Sequence, residues 1–272
     1  MTARGWLKEA VRALDHMERF ELEVLLSERL QMSRAHLLAH LDDALSAEAL
    51  AQLARDVEKL SRHVPLQYVL GQAYFMDACY FVNEDVLIPR FDTEYLVQAV
   101  LDRVTAPQAR VLDLCTGSGI IAISLARARK DWQLSASDLS EAALAVARKN
   151  GAALGAAVDW RLGDLFAPWT GARFDAIVSN PPYIAAAEYE TLSPEVHQEP
   201  QLALVAADDG LAFYERLTRE APAYLSAGGW LAVEIGWQQG EAVRALFINE
   251  KFKEVACLQD GQGHDRVVIG HL

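Results

Sequence analysis

Up to Leu60, apolar residues recur at intervals of three and four. Trp6, Leu7, Ala10, Val11 and Leu14 make one stripe, Leu22, Leu25, Leu26 and Leu30 a second, and Leu50, Leu53, Val57 and Leu60 a third. That spacing returns side chains to one face of a helix, so each stripe predicts an amphipathic helix. Ser33 and Ser46 stand where helix N-caps belong, since a serine oxygen accepts an N–H of the first turn that has no partner within the helix. No strand is expected before Pro65. The simplest reading of residues 1–70 is a small helical bundle.

Beyond Pro65 the texture changes. Tyr74, Phe75 and Met76, then Tyr80, Phe81 and Val82, are aromatic and β-branched around Asp77 and Ala78, which predicts a hairpin. It is read as a linker over 71–90. Leu87-Ile88-Pro89-Arg90-Phe91-Asp92-Thr93-Glu94 then leads into a helix from Glu94 to Val104, with Asp92 or Thr93 as its cap. From Arg110 the pattern alternates. Strands are predicted at Val111–Cys115, Gln133–Ser137, Val158–Leu162, Phe174–Ser179 and Trp230–Ile235. Helices fall at Ile120–Arg129, Glu141–Leu154, Leu211–Leu225 and Glu241–Asn249. Strand–helix alternation makes a Rossmann-like α/β sheet, mostly parallel, with helices on both faces. The last two strands, Phe252–Leu258 and Arg266–Ile269, have only the Gly- and Asp-rich Gln259–Asp265 between them. They must therefore pair antiparallel, at one end of the sheet. Residues 91–272 form the second domain.

The composition narrows the function classes. Of 272 residues, 52% are hydrophobic and 23% charged, a globular mixture. No uncharged apolar run reaches the ~18 residues of a membrane span. Met1 to Glu21 lacks the apolar core of a signal peptide. The three cysteines, Cys79, Cys115 and Cys257, form no CxxC pair and suit a reducing cytoplasm. A net charge of −13 without a basic run makes an extended nucleic-acid surface a poor substrate and a basic protein partner a better one.

Two motifs carry the chemistry. Asp113-Leu114-Cys115-Thr116-Gly117-Ser118-Gly119 follows the first strand of the alternating region and opens a helix. Gly117 and Gly119 allow the backbone to approach a ligand without Cβ clashes. About twenty residues later, Asp138 ends the next strand, where its carboxylate can take both hydroxyls of a ribose. An adenosine-containing cofactor is expected. Gly117-Ser118-Gly119-Ile120-Ile121-Ala122 also satisfies a dinucleotide pattern. Asp113 tilts the reading towards S-adenosylmethionine, because an acid suits a cationic methionine end and repels a pyrophosphate. Asp164 and Leu165, after the third strand, would lie beside the adenine, as acceptor for its amine and apolar face for its ring.

The second motif, Asn180-Pro181-Pro182-Tyr183, follows the strand Phe174–Ser179 and so lies on the same rim as the glycine loop. Two prolines stiffen the backbone and remove two N–H donors. That leaves the Asn180 side-chain oxygen and the Pro181 carbonyl as acceptors for the two hydrogens of a planar –NH₂ group. Tyr183 offers an aromatic wall. An amide nitrogen is a poor nucleophile because its lone pair is delocalised. Two acceptors on its hydrogens would aim that lone pair at an activated methyl group, and no metal is required.

With these motifs in place the chain closely resembles the HemK/PrmC family of release factor glutamine methyltransferases over essentially its whole length. The matching pieces are Leu87–Arg90 with Asp92–Glu94, Asp113–Gly119, Asn180–Ile184, Glu199-Pro200 and Ala203-Leu204. The resemblance implies an enzyme that uses S-adenosyl-L-methionine to methylate the glutamine of the Gly-Gly-Gln motif in class I peptide chain release factors. It implies cofactor contacts from Asp113, Cys115, Thr116, Gly117, Ser118, Gly119, Asp138, Asp164, Leu165 and Asn180. Asn180 and Pro181 would hold the substrate amide, with Pro182 and Tyr183 beside it, and the helical N-terminal domain would recognise the substrate. Three positions depart from the pattern: Phe91 replaces a frequent Pro, Cys115 a frequent Gly, and Leu165 an occasional Trp. Competing readings are a ribosomal-protein glutamine methyltransferase, a nucleic-acid amino methyltransferase, a silent binding module and a nicotinamide oxidoreductase. His36 and His40, one helical turn apart, lack a third metal ligand. Arg90 is read either as substrate-facing or as an ion-pair partner of Glu94, and Glu199 either as a loop support or as a substrate contact.

Overall fold

The computed structural model describes residues 1–272. The chain divides into two compact units, Met1–Gln72 with Ser193–Gln198, and Ala73–Leu192 with Glu199–Leu272.

The first unit is helical, with α1 (Ala3–Ala13), α2 (Arg19–Arg29), α3 (Arg34–Ala39), α4 (Ala47–Leu60) and α5 (Leu66–Leu70). The apolar stripes meet in one core built from Trp6, Leu7, Leu14, Leu22, Leu25, Leu26, Leu37, Leu53 and Leu60. Each such leucine contributes roughly 1.5–3 kcal/mol through burial. Val11 lies off this face and is exposed. Both serine caps form: Ser33 Oγ accepts from His36 N at 3.2 Å and Ser46 Oγ from Ala49 N at 3.1 Å. α5 ends on Gly71 with φ +74°, a left-handed turn that Gly adopts without a Cβ penalty. Inside the bundle, Arg29 makes a two-pronged pair with Asp56 at 2.7 and 3.1 Å and also donates to the Val69 carbonyl at 2.8 Å. Asp56 is 1% exposed, so its charge depends on that guanidinium.

The second unit opens on a hairpin, β1 (Gln72–Phe75) and β2 (Ala78–Phe81). From Ala73 onward this segment belongs to the second unit instead of standing apart as a linker, because Phe75 and Tyr80 are buried among Leu96, Val97, Val111 and Ile121. There follow α6 (Thr93–Arg103), β3 (Arg110–Leu114), α7 (Ile120–Ala128), β4 (Gln133–Asp138), α8 (Glu141–Ala153), β5 (Val158–Leu162) and β6 (Phe174–Ser179). Next come β7 (Ile184–Ala185), α9 (Ala186–Tyr189), β8 (Val205–Ala206), α10 (Ala212–Glu220), β9 (Leu225–Glu234), α11 (Gly240–Asn249), β10 (Lys253–Gln259) and β11 (Asp265–His271).

Seven strands make one sheet in the order β10-β11-β9-β6-β3-β4-β5. β5, β4, β3, β6 and β9 run parallel, while β11 is antiparallel to both of its neighbours, as the short final connection required. The sheet is buried on both faces. Val111 and Val178 face one core with α6 and α7, while Leu112 and Ile177 face a second with Tyr214 and Leu217 of α10 and Val243 and Phe247 of α11. Predicted strand and helix ends hold to within a few residues, except that β9 starts at Leu225 and the helix before it ends at Glu220. No helix is long and apolar enough to cross a membrane.

Replacing Asp56 by Ala strands the Arg29 charge beside the bundle core. The expected cost is about 3 kcal/mol, read as a lowered unfolding midpoint in chemical denaturation. An unchanged midpoint would show that solvent satisfies Arg29.

Candidate functional site

A cavity of about 250 Å³ opens at the carboxyl ends of β3, β4 and β6. This is where ligands bind in open parallel sheets, because the strand order reverses there and the loops diverge. Cys115, Thr116, Gly117, Ser118, Asp138, Asp164, Leu165, Asn180 and Pro182 line it, joined by Ile88, Arg90, Thr93, Phe213 and Arg216. Asp113, Gly119, Pro181 and Tyr183 are not on its wall.

The loop after β3 is tied down from below. Thr116 N donates to the Ser137 carbonyl at 3.1 Å, and Gly119 N to the Thr116 carbonyl at 2.8 Å. Asp113 is fully buried and turned inward: Oδ2 accepts from Thr116 Oγ1 at 2.6 Å and from Ala122 N at 3.2 Å. It therefore orders the loop and the start of α7 and does not face the cavity. Its Oδ1 has no hydrogen-bond partner, and burial raises the carboxyl from 3.8 to about 7.

The two glycines of the loop differ in role. A Cβ on Gly117 would meet nothing within 4 Å, so this backbone fronts open space that a ligand can fill. A Cβ on Gly119 would sit 3.0 Å from both Ile123 and Trp160 and 3.2 Å from Ala147. Gly119 is thus small for helix and strand packing, not for ligand approach. Cys115, the departure from a frequent Gly, sits at φ +59°, a left-handed conformation that costs a side chain about 1–2 kcal/mol. Burial also pushes its thiol pKa up, which keeps it protonated and a poor nucleophile.

Asp138 fits a ribose. Its Oδ2 accepts from Gly117 N at 2.8 Å and its Oδ1 from Ser140 N at 2.9 Å. Each oxygen keeps a second lone pair, and the backbone bonds aim both at the cavity rim. Burial raises this carboxyl, and the Ser140 and Gly117 N–H groups oppose the rise. Asp164 is held at the rim by Arg216 at 2.8 Å, and Leu165 is buried at φ +45°. The open face at Gly117, the anchored Asp138 and the apolar Leu165 accommodate an adenosine-bearing group.

Of the Asn180–Tyr183 run, Asn180 is half-buried, and its Nδ2 donates to Thr93 Oγ1 at 3.2 Å. Pro181 is buried, while Tyr183 packs into the second core and its carbonyl accepts from Gln239 Nε2 at 3.1 Å. Gly210, at φ +86°, leaves room for that carbonyl, since a Cβ there would lie 2.1 Å from it. Across the cavity mouth, Glu199 Oε2 accepts from Ile88 N at 2.9 Å while Oε1 pairs with Arg90. Arg90 thus pairs with Glu199 instead of Glu94, whose Oε1 accepts from Met76 N at 2.8 Å. Glu199 is a loop support, 5% exposed.

The sequence reading missed Thr93, Arg216 and above all Glu234. Glu234 is 1% exposed at the end of β9, its Oε2 has no hydrogen-bond partner, and burial raises it from 4.5 to about 7, with Thr93 and Asn180 opposing the rise. A signal existed: an acid in the otherwise apolar run Trp230–Ile235. His36 and His40 stack on each other at 4.1 Å, away from any third ligand. The one three-ligand grouping is His16, His63 and Glu195 in the first unit, where His63 Nδ1 and Glu195 Oε1 lie 2.5 Å apart.

Two outcomes follow from this geometry. Gly117→Ala should keep the fold, at a cost of about 1 kcal/mol for the left-handed backbone, yet lose S-adenosylhomocysteine binding in calorimetry. Gly119→Ala should instead lower the melting temperature, and equal melting temperatures for the two variants would refute the division of roles. Between its unfolded value near 3.8 and its folded value of about 7, Asp113 holds a proton only in the folded chain. Stability should therefore fall as pH rises through that window. Asp113→Asn should flatten the dependence in denaturation measured from pH 4 to 8, and an identical slope in the variant would assign the proton elsewhere.

Similarity to known proteins agrees with this architecture. The methyltransferase small domain matches residues 91–199 and the PrmC N-terminal domain residues 5–71. A release factor glutamine methyltransferase of Xylella fastidiosa is 42% identical over 260 residues, spanning 95% of this chain and 94% of that protein. One from Geobacter sulfurreducens is 42% identical over 271 residues, spanning 99% of this chain and 94% of that protein. A methyltransferase structure from Pyrococcus furiosus shares the fold, with a TM-score of 0.55 at 16% identity over 83% of this chain and 98% of that chain. With identity of that extent running through both units, the chain belongs to the release factor glutamine methyltransferase family, enzymes that use S-adenosylmethionine.

Proposed function

We propose that this protein transfers a methyl group from S-adenosylmethionine to the side-chain amide nitrogen of the glutamine in the Gly-Gly-Gln motif of class I release factors. One observation carries the reading. Asn180, which opens the Asn-Pro-Pro-Tyr run at the end of β6, shares a cavity wall with Gly117 and Asp138. A group able to hold an amide thus stands beside groups able to hold an adenosine cofactor. The relatives that bear the matching name span nearly the whole chain, and the net charge of −13 favours a basic protein partner over a nucleic-acid backbone. A partner in translation, and three cysteines that make no disulfide, support a cytoplasmic location.

Asp138 would hold the ribose hydroxyls, Gly117 would let the backbone close on the cofactor, and Leu165 would face the adenine. The bound cofactor supplies a methyl group activated on a sulfonium. The chain itself aligns the nucleophile. Asn180 gives its amide nitrogen to Thr93, which leaves its oxygen to accept one hydrogen of the substrate amide. The family pattern gives the other hydrogen to the Pro181 carbonyl and sets Tyr183 beside the planar group, although neither residue lines the cavity. Alignment of this kind is worth several kcal/mol without a metal, and the methylated nitrogen would release one of its two hydrogens as a proton to water. The helical first unit would select the protein substrate.

Incubating a recombinant release factor with this protein and labelled cofactor should add one methyl group to the Gly-Gly-Gln peptide, read by mass spectrometry. Asn180→Ala should slow single-turnover methylation by a hundredfold or more, about 2.7–4 kcal/mol, with cofactor affinity retained. Turnover within about threefold of the parent, under 1 kcal/mol, would exclude the acceptor role.

A further inference from the structure

We propose that Glu234 and Thr93 are positioning residues that fix which way round the Asn180 amide sits, so that its oxygen faces the substrate. This rests on the reading that Asn180 accepts a hydrogen of the substrate amide.

The need arises from the side chain itself. An asparagine amide has almost the same shape after a half-turn about its terminal torsion, yet the turn exchanges an acceptor for a two-hydrogen donor. In the wrong orientation the Asn180 NH₂ would meet the substrate NH₂, donor against donor. Neither Pro181 nor Pro182 corrects this, because a proline stiffens the backbone and does not act on the terminal torsion of Asn180.

The correction comes from the strand beside it. In the parallel pairing of β6 with β9, Ser179 lies opposite Val233, so the next residues, Asn180 and Glu234, are neighbours. Thr93, 1% exposed at the start of α6, stands within reach of both. Asn180 Nδ2 donates to Thr93 Oγ1 at 3.2 Å, and Thr93 and Asn180 both favour the ionised form of the neighbouring Glu234 carboxyl. A hydroxyl has one hydrogen to give, and a carboxylate accepts only. With Glu234 ionised the donors therefore point one way, the asparagine N–H to the threonine oxygen and the threonine O–H towards the carboxylate. A carbonyl oxygen turned to that side would face two acceptors. Glu234 is ringed by Arg266 on β11, itself paired with Asp92 at 3.2 Å and Asp260 at 3.0 Å, and by the Tyr183 side chain. Burying an acid in a central strand is costly, and orienting the catalytic amide is a return for it that no packing role would give.

Five variants of the full chain separate this from a structural role: Glu234→Gln, Thr93→Val, Thr93→Ser, Asn180→Asp and the double variant Asn180→Asp with Glu234→Gln. A glutamine can give or accept, and a valine can do neither, so both release the amide while keeping the side-chain volume. Glu234→Gln and Thr93→Val should slow methylation of release factor about tenfold to a hundredfold, with S-adenosylhomocysteine affinity by calorimetry unchanged. Thr93→Ser, which keeps the hydroxyl, should restore the rate. Thermal unfolding gives a readout independent of turnover. Asn180→Asp sets a carboxylate against Glu234 and should lower the melting temperature by several degrees. Adding Glu234→Gln should recover most of that loss, although alone it stabilises nothing. Wild-type rates in both Glu234→Gln and Thr93→Val, or strictly additive melting temperatures, would overturn the proposal. Should Glu234→Gln fail to fold, the contrast between Thr93→Val and Thr93→Ser decides it. A wild-type protein that methylates no release factor would refute the proposed substrate, while the melting cycle would still report on the orientation of Asn180.

Discussion

The site depends on the parallel registration of β3 between β4 and β6. Leu114 lies opposite Ser137 on one side and Ser179 on the other, so three strands reach their carboxyl ends at the same height. Only then do the loops that follow, one with Gly117, one with Asp138 and one with Asn180, face a common space. The ends are stitched where the ladder runs out. Ser179 Oγ donates to the Leu114 carbonyl at 2.8 Å, and Ser137 Oγ donates to the Leu165 carbonyl at 3.2 Å while accepting from Trp169 Nε1 at 3.1 Å. Two buried serines thus satisfy backbone groups that diverging strands would leave unpaired, and they hold the loops in register with one another.

Much of the fold was readable from local pattern. Buried parallel strands are short apolar runs, helices show the longer period, and a turn-rich gap between the last two strands leaves only an antiparallel pairing. Gly117, Asp138 and Asn180 were readable for a related reason, since their identity is dictated by the strand end they occupy. What escaped were groups whose function is set by a partner far along the chain. Asp113 reads as a cofactor acid until Thr116 and Ala122 are seen to claim one of its oxygens. Arg90 reads as an i,i+4 partner of Glu94, but Glu199, more than a hundred positions later, is the buried acid that holds it. Gly117 and Gly119 look equivalent in sequence, and only the positions of Trp160 and Ile123 tell packing from access.

The acids of the second unit show how position divides a common chemistry. Asp138 is fixed by backbone donors at both oxygens and stays at the rim, where it can serve a ligand. Asp113 and Glu234 lie beneath the rim, each with one oxygen lacking a hydrogen-bond partner. Both act on neighbours within the chain, one on the turn into α7 and the other on the residue that follows β6. Shape at the surface is in this way governed by carboxylates that solvent scarcely reaches.

The assignment of Ser193–Gln198 to the helical unit changes what counts as a module in this protein. The backbone passes between the two units at residues 72–73, leaves again at 192–193 and returns at 198–199. The excursion ends one residue before Glu199, the acid that anchors Ile88 and Arg90. The helical unit is therefore discontinuous in sequence, and no single cut releases it whole. Evolution or an engineer wishing to graft this helical unit onto another sheet would have to transplant two stretches of chain together. A relative that altered only the first stretch would have to keep faith with a six-residue segment encoded far downstream.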